Sequence, residues 1–255
     1  MKLNERQNII LNLLQESEQL EVDSLSDQFG VSSQTIRKDI NQMCDLGLVR
    51  RLHGGVGLPT ANQNISFNSR EMINSEVKRR MAAALAALIP DGASVMLGIG
   101  TSVSHAARAL INHRRLRIIT NNLNVASILC EQPEIEVLVS GGQLRHNDRD
   151  LVGENVTRFL DNFRVDFGII GTGALDQNRG LMDFDPLEAD VSRAILRNCG
   201  QAVLLADQSK WKRRAMVQVA PFTALSKFIT DELSDPSPRQ QLQDSGLDII
   251  ETGQQ

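Results

Sequence analysis

The chain of 255 residues has only three cysteines, four histidines, one tryptophan and no tyrosine, and its charges nearly cancel at 27 Lys and Arg against 31 Asp and Glu. Each scarcity excludes something. Cys44, Cys130 and Cys199 are odd in number and far apart, which argues for a reducing compartment and against a disulfide framework; they read as small buried hydrophobes. His53, His105, His113 and His146 show no ligand spacing with one another or with cysteine, so no metal centre is expected. Eight Phe and one Trp are too few rings for a base-stacking platform. The longest apolar run, Met81–Ile89, falls well short of the roughly 20 residues that span a bilayer, and Met1–Arg6 lacks an apolar leader core. A cytoplasmic protein is expected. The net charge of −4 excludes nucleic-acid binding by the molecule as a whole, while leaving room for a local basic face.

What is present divides into a small head and a larger body. Ile9, Leu13 and Leu14 stripe a helix over about Asn4–Glu16. Asp23 is a candidate cap for a second helix, Gly30 supplies a turn, and Ser32 caps a third helix carrying Ile36, Ile40 and Met43 at core spacing. The other face of that third helix carries Ser33, Gln34, Thr35, Arg37, Lys38 and Asn41, short or forked hydrogen-bonding groups suited to a major groove. Leu48–Val56 then reads as a tight hairpin around Gly54-Gly55, a wing with Arg50 and Arg51 aimed at phosphates or the minor groove. Residues 31–56 hold four Lys or Arg against two Asp or Glu, so the basic side chains gather on the third helix and the wing. A plain three-helix bundle with a solvated polar face would share this periodicity.

Gly57–Ser69 break all periodicity, and residues 58–74 read as a linker between a head at 1–57 and a body at 75–255. Arg70–Ile89 reads as a helix with Ser75 as a cap. In the body, apolar strands at Ser94–Leu97, Leu116–Ile119, Ile135–Val139, Val165–Ile170, Ala202–Ala206, Lys227–Thr230 and Leu247–Ile250 alternate with helical patterns, which predicts an α/β fold with a mostly parallel sheet. Small and hydrogen-bonding residues follow the strand ends: Gly98–Ser102, Thr120-Asn121-Asn122, Gly141–Arg145, Gly171-Thr172-Gly173 and Asp207–Lys210. Glycines admit a ligand close to the backbone, free helix N–H groups favour an anion, and Lys210 adds a charge. The set suits a phosphorylated polyol or sugar. A dinucleotide is rejected, because Val103 stands where a third Gly or Ala belongs and no acid follows the second strand; no cofactor is expected. Arg145, Asp148 and Arg149 read equally well as site residues or as a solvated turn.

The run Val31-Ser32-x-x-Thr35-Ile36-Arg37-Lys38-Asp39-Ile40, followed by Gly47-Leu48-Val49-Arg50-Arg51-x-His53-Gly54-Gly55, resembles the winged helix-turn-helix of the DeoR family of bacterial sugar-catabolism regulators. Lys38 stands where that family usually has a second Arg. The resemblance spans roughly residues 4–251 and implies DNA contact by Ser33, Gln34, Thr35, Arg37, Lys38, Arg50, Arg51 and His53. For the body it implies an effector domain similar in fold to ribose-5-phosphate isomerase, with the effector phosphate held by Gly100, Thr101, Ser102, Thr120 and Asn121, Lys210 assisting, and Asp183 or Glu188 near the hydroxyls. Thr120–Ala126, Asp166–Ile169 and Phe184-Asp185-x-x-Glu188 look closest to the family's members that govern glycerol phosphate, which makes glycerol 3-phosphate the foremost effector. Gly98 stands where the family often has an acid, a departure expected to widen the pocket or alter which hydroxyl is read. The resemblance also implies operator DNA as partner, and a homodimer or homotetramer. The competing readings are a sugar-phosphate isomerase, a regulator of another sugar phosphate, and a scaffold. Against the isomerase, the Lys-Gly-Gly-Gly loop of such enzymes is absent before Glu188.

Overall fold

The computed structural model describes residues 3–17, 19–58, 66–233, 239–240, 242–243 and 246–253. The chain divides into two compact units, Met1–Ser75 and Glu76–Gln255.

The first unit opens with α1 (Glu5–Glu16), started by a capping box in which Asn4 accepts from Gln7 N and Gln7 returns a bond to Asn4 N. Strand β1 (Gln19–Glu21) leads into α2 (Val22–Phe29), and Gly30 at φ +62 turns the chain into α3 (Ser33–Asp45), capped by Ser32. The expected cap of α2 is displaced. Val22, whose N–H donates to Gly54 O, already begins the helix, and Asp23 in the first turn accepts the Ser33 hydroxyl at 3.0 Å instead. Strands β2 (Arg50–Leu52) and β3 (Gly55–Gly57) form the wing hairpin, with β1 added outside β3, a third strand the sequence pattern does not announce. The turn lies at His53-Gly54, with Gly54 at φ +74. Gly55 is needed for another reason: a Cβ there would stand 2.5 Å from Leu20 O. Ile10, Leu14, Leu25, Ile36, Met43 and Leu48 fill the core.

Of the segment read as a linker, residues 59–65 lie outside the described residues. After them comes α4 (Phe67–Met72), capped by Ser66. Ser69, almost wholly buried, donates its hydroxyl to Leu46 O at 2.5 Å, and Met72 and Ile73 pack on the head core. The helix expected over Arg70–Ile89 is therefore two helices. Asn74 takes a left-handed φ of +54 between them, and α5 (Ser75–Leu88) begins at Ser75.

In the second unit the chain runs from α5 through β4 (Ser94–Leu97), α6 (Thr101–Ala109), β5 (Arg117–Thr120), α7 (Leu123–Leu129) and β6 (Glu136–Val139). A hairpin of β7 (Gln143–Arg145) and β8 (Asp150–Val152) precedes α8 (Glu154–Asp161) and β9 (Val165–Ile170). Then come β10 (Ala174–Asp176), β11 (Gly180–Asp183), α9 (Pro186–Arg197), β12 (Cys199–Leu205), β13 (Val217–Ala220), β14 (Lys227–Thr230) and β15 (Asp248–Glu251). Seven strands form one sheet in the order β15-β14-β12-β9-β4-β5-β6, and every neighbouring pair is parallel. Strands β10, β11 and β13 make a small antiparallel sheet.

Both faces of the large sheet are covered, which is why its strands read as continuous apolar runs. One core joins Met81, Leu85, Val103, Leu110 and Leu129 from α5–α7 to Val95, Leu97 and Ile118. The other joins Val156, Leu160, Val191 and Ile195 from α8 and α9 to Met96, Ile170 and Leu204. Each fully buried side chain of this size contributes about 1.5–3 kcal/mol of transfer free energy. With all strands running one way, their carboxyl ends share one rim, where ligands bind in sheets of this kind.

Candidate functional site

In the head, α3 turns Ile36, Asp39, Ile40 and Met43 inward, which leaves Gln34, Arg37 and Lys38 exposed along its outer face. The helix is fixed from behind. Asp39 is 4% exposed and accepts from Arg6 Nε at 2.5 Å, Asn4 Nδ2 at 3.2 Å and Gln7 Nε2 at 3.3 Å. Ser33 and Thr35 are half-buried, and their hydroxyls are engaged by Asp23 and Ser32. Arg50, Arg51 and His53 are exposed on the wing; Arg50 Nε donates to Leu58 O at 3.0 Å. Arg51 also stands beside Cys44, whose thiol is pushed up by burial against the pull of that guanidinium.

At the rim of the body, Gly100 at φ +107 caps α6 without a side chain, so the first N–H groups of the helix are offered beside Thr101 and Ser102. Thr120 is wholly buried, donates to Leu97 O at 2.7 Å and accepts from Asn122 N at 3.0 Å, so it shapes the loop. Asn121 is equally buried. Its Nδ2 donates to Leu151 O at 2.7 Å, whereas its Oδ1 has no hydrogen-bond partner. Ser140 Oγ, just past β6, is buried and also lacks one. Asn122 donates to Gly98 O at 3.2 Å and caps α7 through Oδ1. Gly98 leaves no widened space: a Cβ there would lie 3.0 Å from Ile195 Cδ1, which already fills the position.

The residue left open in the sequence, Arg145, organises the other side of the rim. Its Nε and Nη2 reach Asp150 at 3.1 and 2.8 Å, and its Nη1 reaches Glu188 at 2.6 Å and Asp185 at 2.9 Å. Asp148 stands 3.9 Å away. Burial works against the guanidinium charge, yet these carboxylates hold its pKa above the ordinary value. Asp150 is wholly buried, and desolvation raises its carboxyl despite the ion pair. Asp183 is 4% exposed; burial and then the neighbouring Glu188 push it up to about 7, while Lys210 pulls the other way. Asp207 shows the reverse balance. Burial raises it, but Lys210, Lys78 and bonds from Ser209 outweigh that and leave it below the usual range. Arg213 lies 4.7 Å from the Phe184 ring centroid, next to Asp183.

The structure thus brings Asp183, Glu188 and Lys210 into one neighbourhood and adds Arg145, Asp150 and Asp207, which sequence reasoning did not assign. The only signal for Arg145 was its place after Gly141-Gly142 at a strand end. Among the described residues no group of His, Cys, Asp and Glu is arranged to hold a metal ion, and no helix is long and apolar enough to cross a membrane.

Residues 6–62 match the DeoR-like helix-turn-helix domain, and residues 73–232 match the DeoR C terminal sensor domain. The chain is 38% identical to the HTH-type transcriptional repressor CsqR of Escherichia coli, over 97% of this chain and 95% of that one. It is 36% identical to the glycerol-3-phosphate regulon repressor of Escherichia coli, over 98% and 99% of the two chains. Among solved structures, ribose 5-phosphate isomerase A of Methanocaldococcus jannaschii aligns with a TM-score of 0.41 at 19% identity, over 54% of this chain and 55% of that one.

Proposed function

Since the chain belongs to the DeoR family of helix-turn-helix transcriptional repressors, we propose that it represses a polyol or sugar catabolic operon and leaves its operator when a phosphorylated effector, glycerol 3-phosphate foremost, fills the rim of its sensor domain. The protein is a regulator and not an enzyme. In this reading residues 1–57 are the reader, 58–74 the connector and 75–255 the sensor. Gln34, Arg37 and Lys38 enter the major groove, while Arg50, Arg51 and His53 of the wing meet the backbone beside it. Ser33 and Thr35 set the start of α3 against Asp23 and Ser32 and approach the phosphates from there.

In the sensor, the α6 N-terminus with Gly100, Thr101 and Ser102 receives the phosphate, Lys210 adds its charge, and Asp183 and Glu188 address the hydroxyls; Asn121, expected at the phosphate, joins them there, because its amide N–H is spent on Leu151 O and its open atom is an acceptor. The observation that carries this reading is the convergence of an uncapped helix end and a buried, unpartnered Asn121 Oδ1 on the strand-end rim of a parallel sheet. Glu188 is poorly placed for proton abstraction, because its carboxylate is already engaged by Arg145 at 2.6 Å. The working form is a homodimer or homotetramer, because one winged head makes few contacts and paired heads read paired half-sites.

The test is an electrophoretic mobility shift with DNA from upstream of the neighbouring catabolic genes, titrated with glycerol 3-phosphate and other sugar phosphates. Specific binding relieved by one of them supports the proposal. Operator affinity unchanged by every phosphoester overturns the induction scheme.

A further inference from the structure

The carboxylates around Arg145 outnumber the cations beside them. Asp148, Asp150, Asp185 and Glu188 surround its guanidinium, and Asp183 stands against Glu188; the other cations near them are Lys210, Lys78 beside Asp207, and Arg213 over Phe184. Among the described residues, six carboxylates, Asp207 included, then stand against four cations, and the excess of acid persists with Asp183 neutral. Arg145 cannot turn to an incoming anion without abandoning a partner, since Nε and Nη2 are bound to Asp150 and Nη1 to Asp185 and Glu188. Leaving the wholly buried Asp150 or the nearly buried Glu188 unpaired is strongly unfavourable.

An independent observation points to the same kind of ligand. Asn121 Oδ1 is buried, accepts nothing, and belongs to the loop whose next residue, Asn122, bridges to Asp150. An acceptor so placed calls for a hydroxyl donor and disfavours a second anion. The α6 N-terminus has the opposite character, with free N–H groups and the positive end of the helix dipole.

We infer that the sensor selects its effector by charge at the end remote from the phosphate: it admits a single phosphoester on a neutral, hydroxylated carbon chain, and refuses one bearing a carboxylate or a second phosphate, through Asp183, Asp185 and Glu188. The inference rests on the reading of this module as a phosphoester sensor. It narrows the class of effector beyond that reading, because sugar-acid phosphates and bisphosphates share the phosphate handle and fail at the other end.

Isothermal titration calorimetry on the full chain tests it with matched pairs: glycerol 3-phosphate against 3-phosphoglycerate, glucose 6-phosphate against 6-phosphogluconate, and fructose 6-phosphate against fructose 1,6-bisphosphate. The expected result is that at least one monoester binds and its more anionic counterpart binds at least tenfold more weakly. That gap narrows at least threefold in Glu188→Gln or in Asp185→Asn, each checked for folding by its circular dichroism melt. A gap below tenfold in the unaltered protein overturns the inference, as does a gap that persists in both folded variants. Failure of every monoester to bind is a different result. It removes the phosphoester reading itself, and the selection rule with it.

Discussion

Arg6 Nε donates to Asp39 Oδ2 across 2.5 Å, which ties α1 to the inner side of the helix that carries the DNA-facing residues. Asp39 sits two positions after Arg37 and one after Lys38, so the same helix that offers cations outward is anchored inward by an acid. Its partners Asn4 and Gln7 are also the two halves of the capping box of α1, so one carboxylate organises both helices.

Asp39→Ala therefore removes an acceptor from three donors at once. The expected cost is about 2–3 kcal/mol, in the range for breaking a largely buried charge-assisted network. Differential scanning calorimetry of the full chain should show the head transition lowered and the sensor transition unchanged. A loss below about 0.5 kcal/mol, the scatter typical of ordinary surface substitutions, would mean the network is dispensable.

Arg37→Ala is expected to abolish discrimination between operator and random DNA, because a guanidinium forking onto a base edge carries sequence information. Lys38→Ala should instead weaken all sequences alike and reduce the slope of log affinity against log salt by about one. Fluorescence anisotropy at several salt concentrations separates the two, and equal loss on operator and random DNA in the Arg37 variant would remove it from base reading.

Asp183 links stability to pH. Its folded pKa of about 7 lies above its unfolded value, so the folded state holds a proton that the unfolded chain has released. The contribution of this group is thus fully present below the unfolded carboxylate pKa of about 3.9, and is lost as pH rises through 7. Asp183→Asn should be more stable than the parent at pH 8, with the advantage shrinking to nothing near pH 4. Melting curves of both proteins across that interval give the answer; a pH-independent difference would show that the carboxyl does not titrate there.

Lys210→Ala is expected to keep operator binding intact while blunting the response to the phosphorylated effector several-fold. The same substitution strips Asp207 of a neighbouring cation, so the melting temperature of the effector-free protein belongs in the measurement. Undiminished induction would take Lys210 out of the site.

The inner strands of the large sheet are legible because both its faces are covered there, and strands buried on both sides appear as short unbroken apolar runs. Ser94–Leu97, Val165–Ile170 and Lys227–Thr230 fall where those runs do. The hairpin of β7 and β8 escapes notice because Gln143-Leu144-Arg145 and Asp150-Leu151-Val152 are short and half polar, and their pairing depends on Asn121 and Asn122. The role of Arg145 was hidden for a related reason. Glu188 and Asp185 stand about forty residues downstream, and no local spacing connects an arginine to acids that only the fold brings beside it. The break at Asn74 was equally silent, because an Ala-rich apolar pattern runs on beyond it and a left-handed residue leaves no mark on periodicity.

A sheet whose strands all point the same way leaves its opposite border chemically idle. At the amino ends of β4, β5 and β6, Asp91 accepts from Arg114 N and His113 Nε2 ties its turn to Ala86 O and Ile89 O, while Asp91, Arg114 and Pro133–Glu134 stay exposed. An exposed corner such as Pro133–Glu134 lies away from the rim and can carry a fluorophore, which makes it the natural anchor point for a reporter of effector concentration.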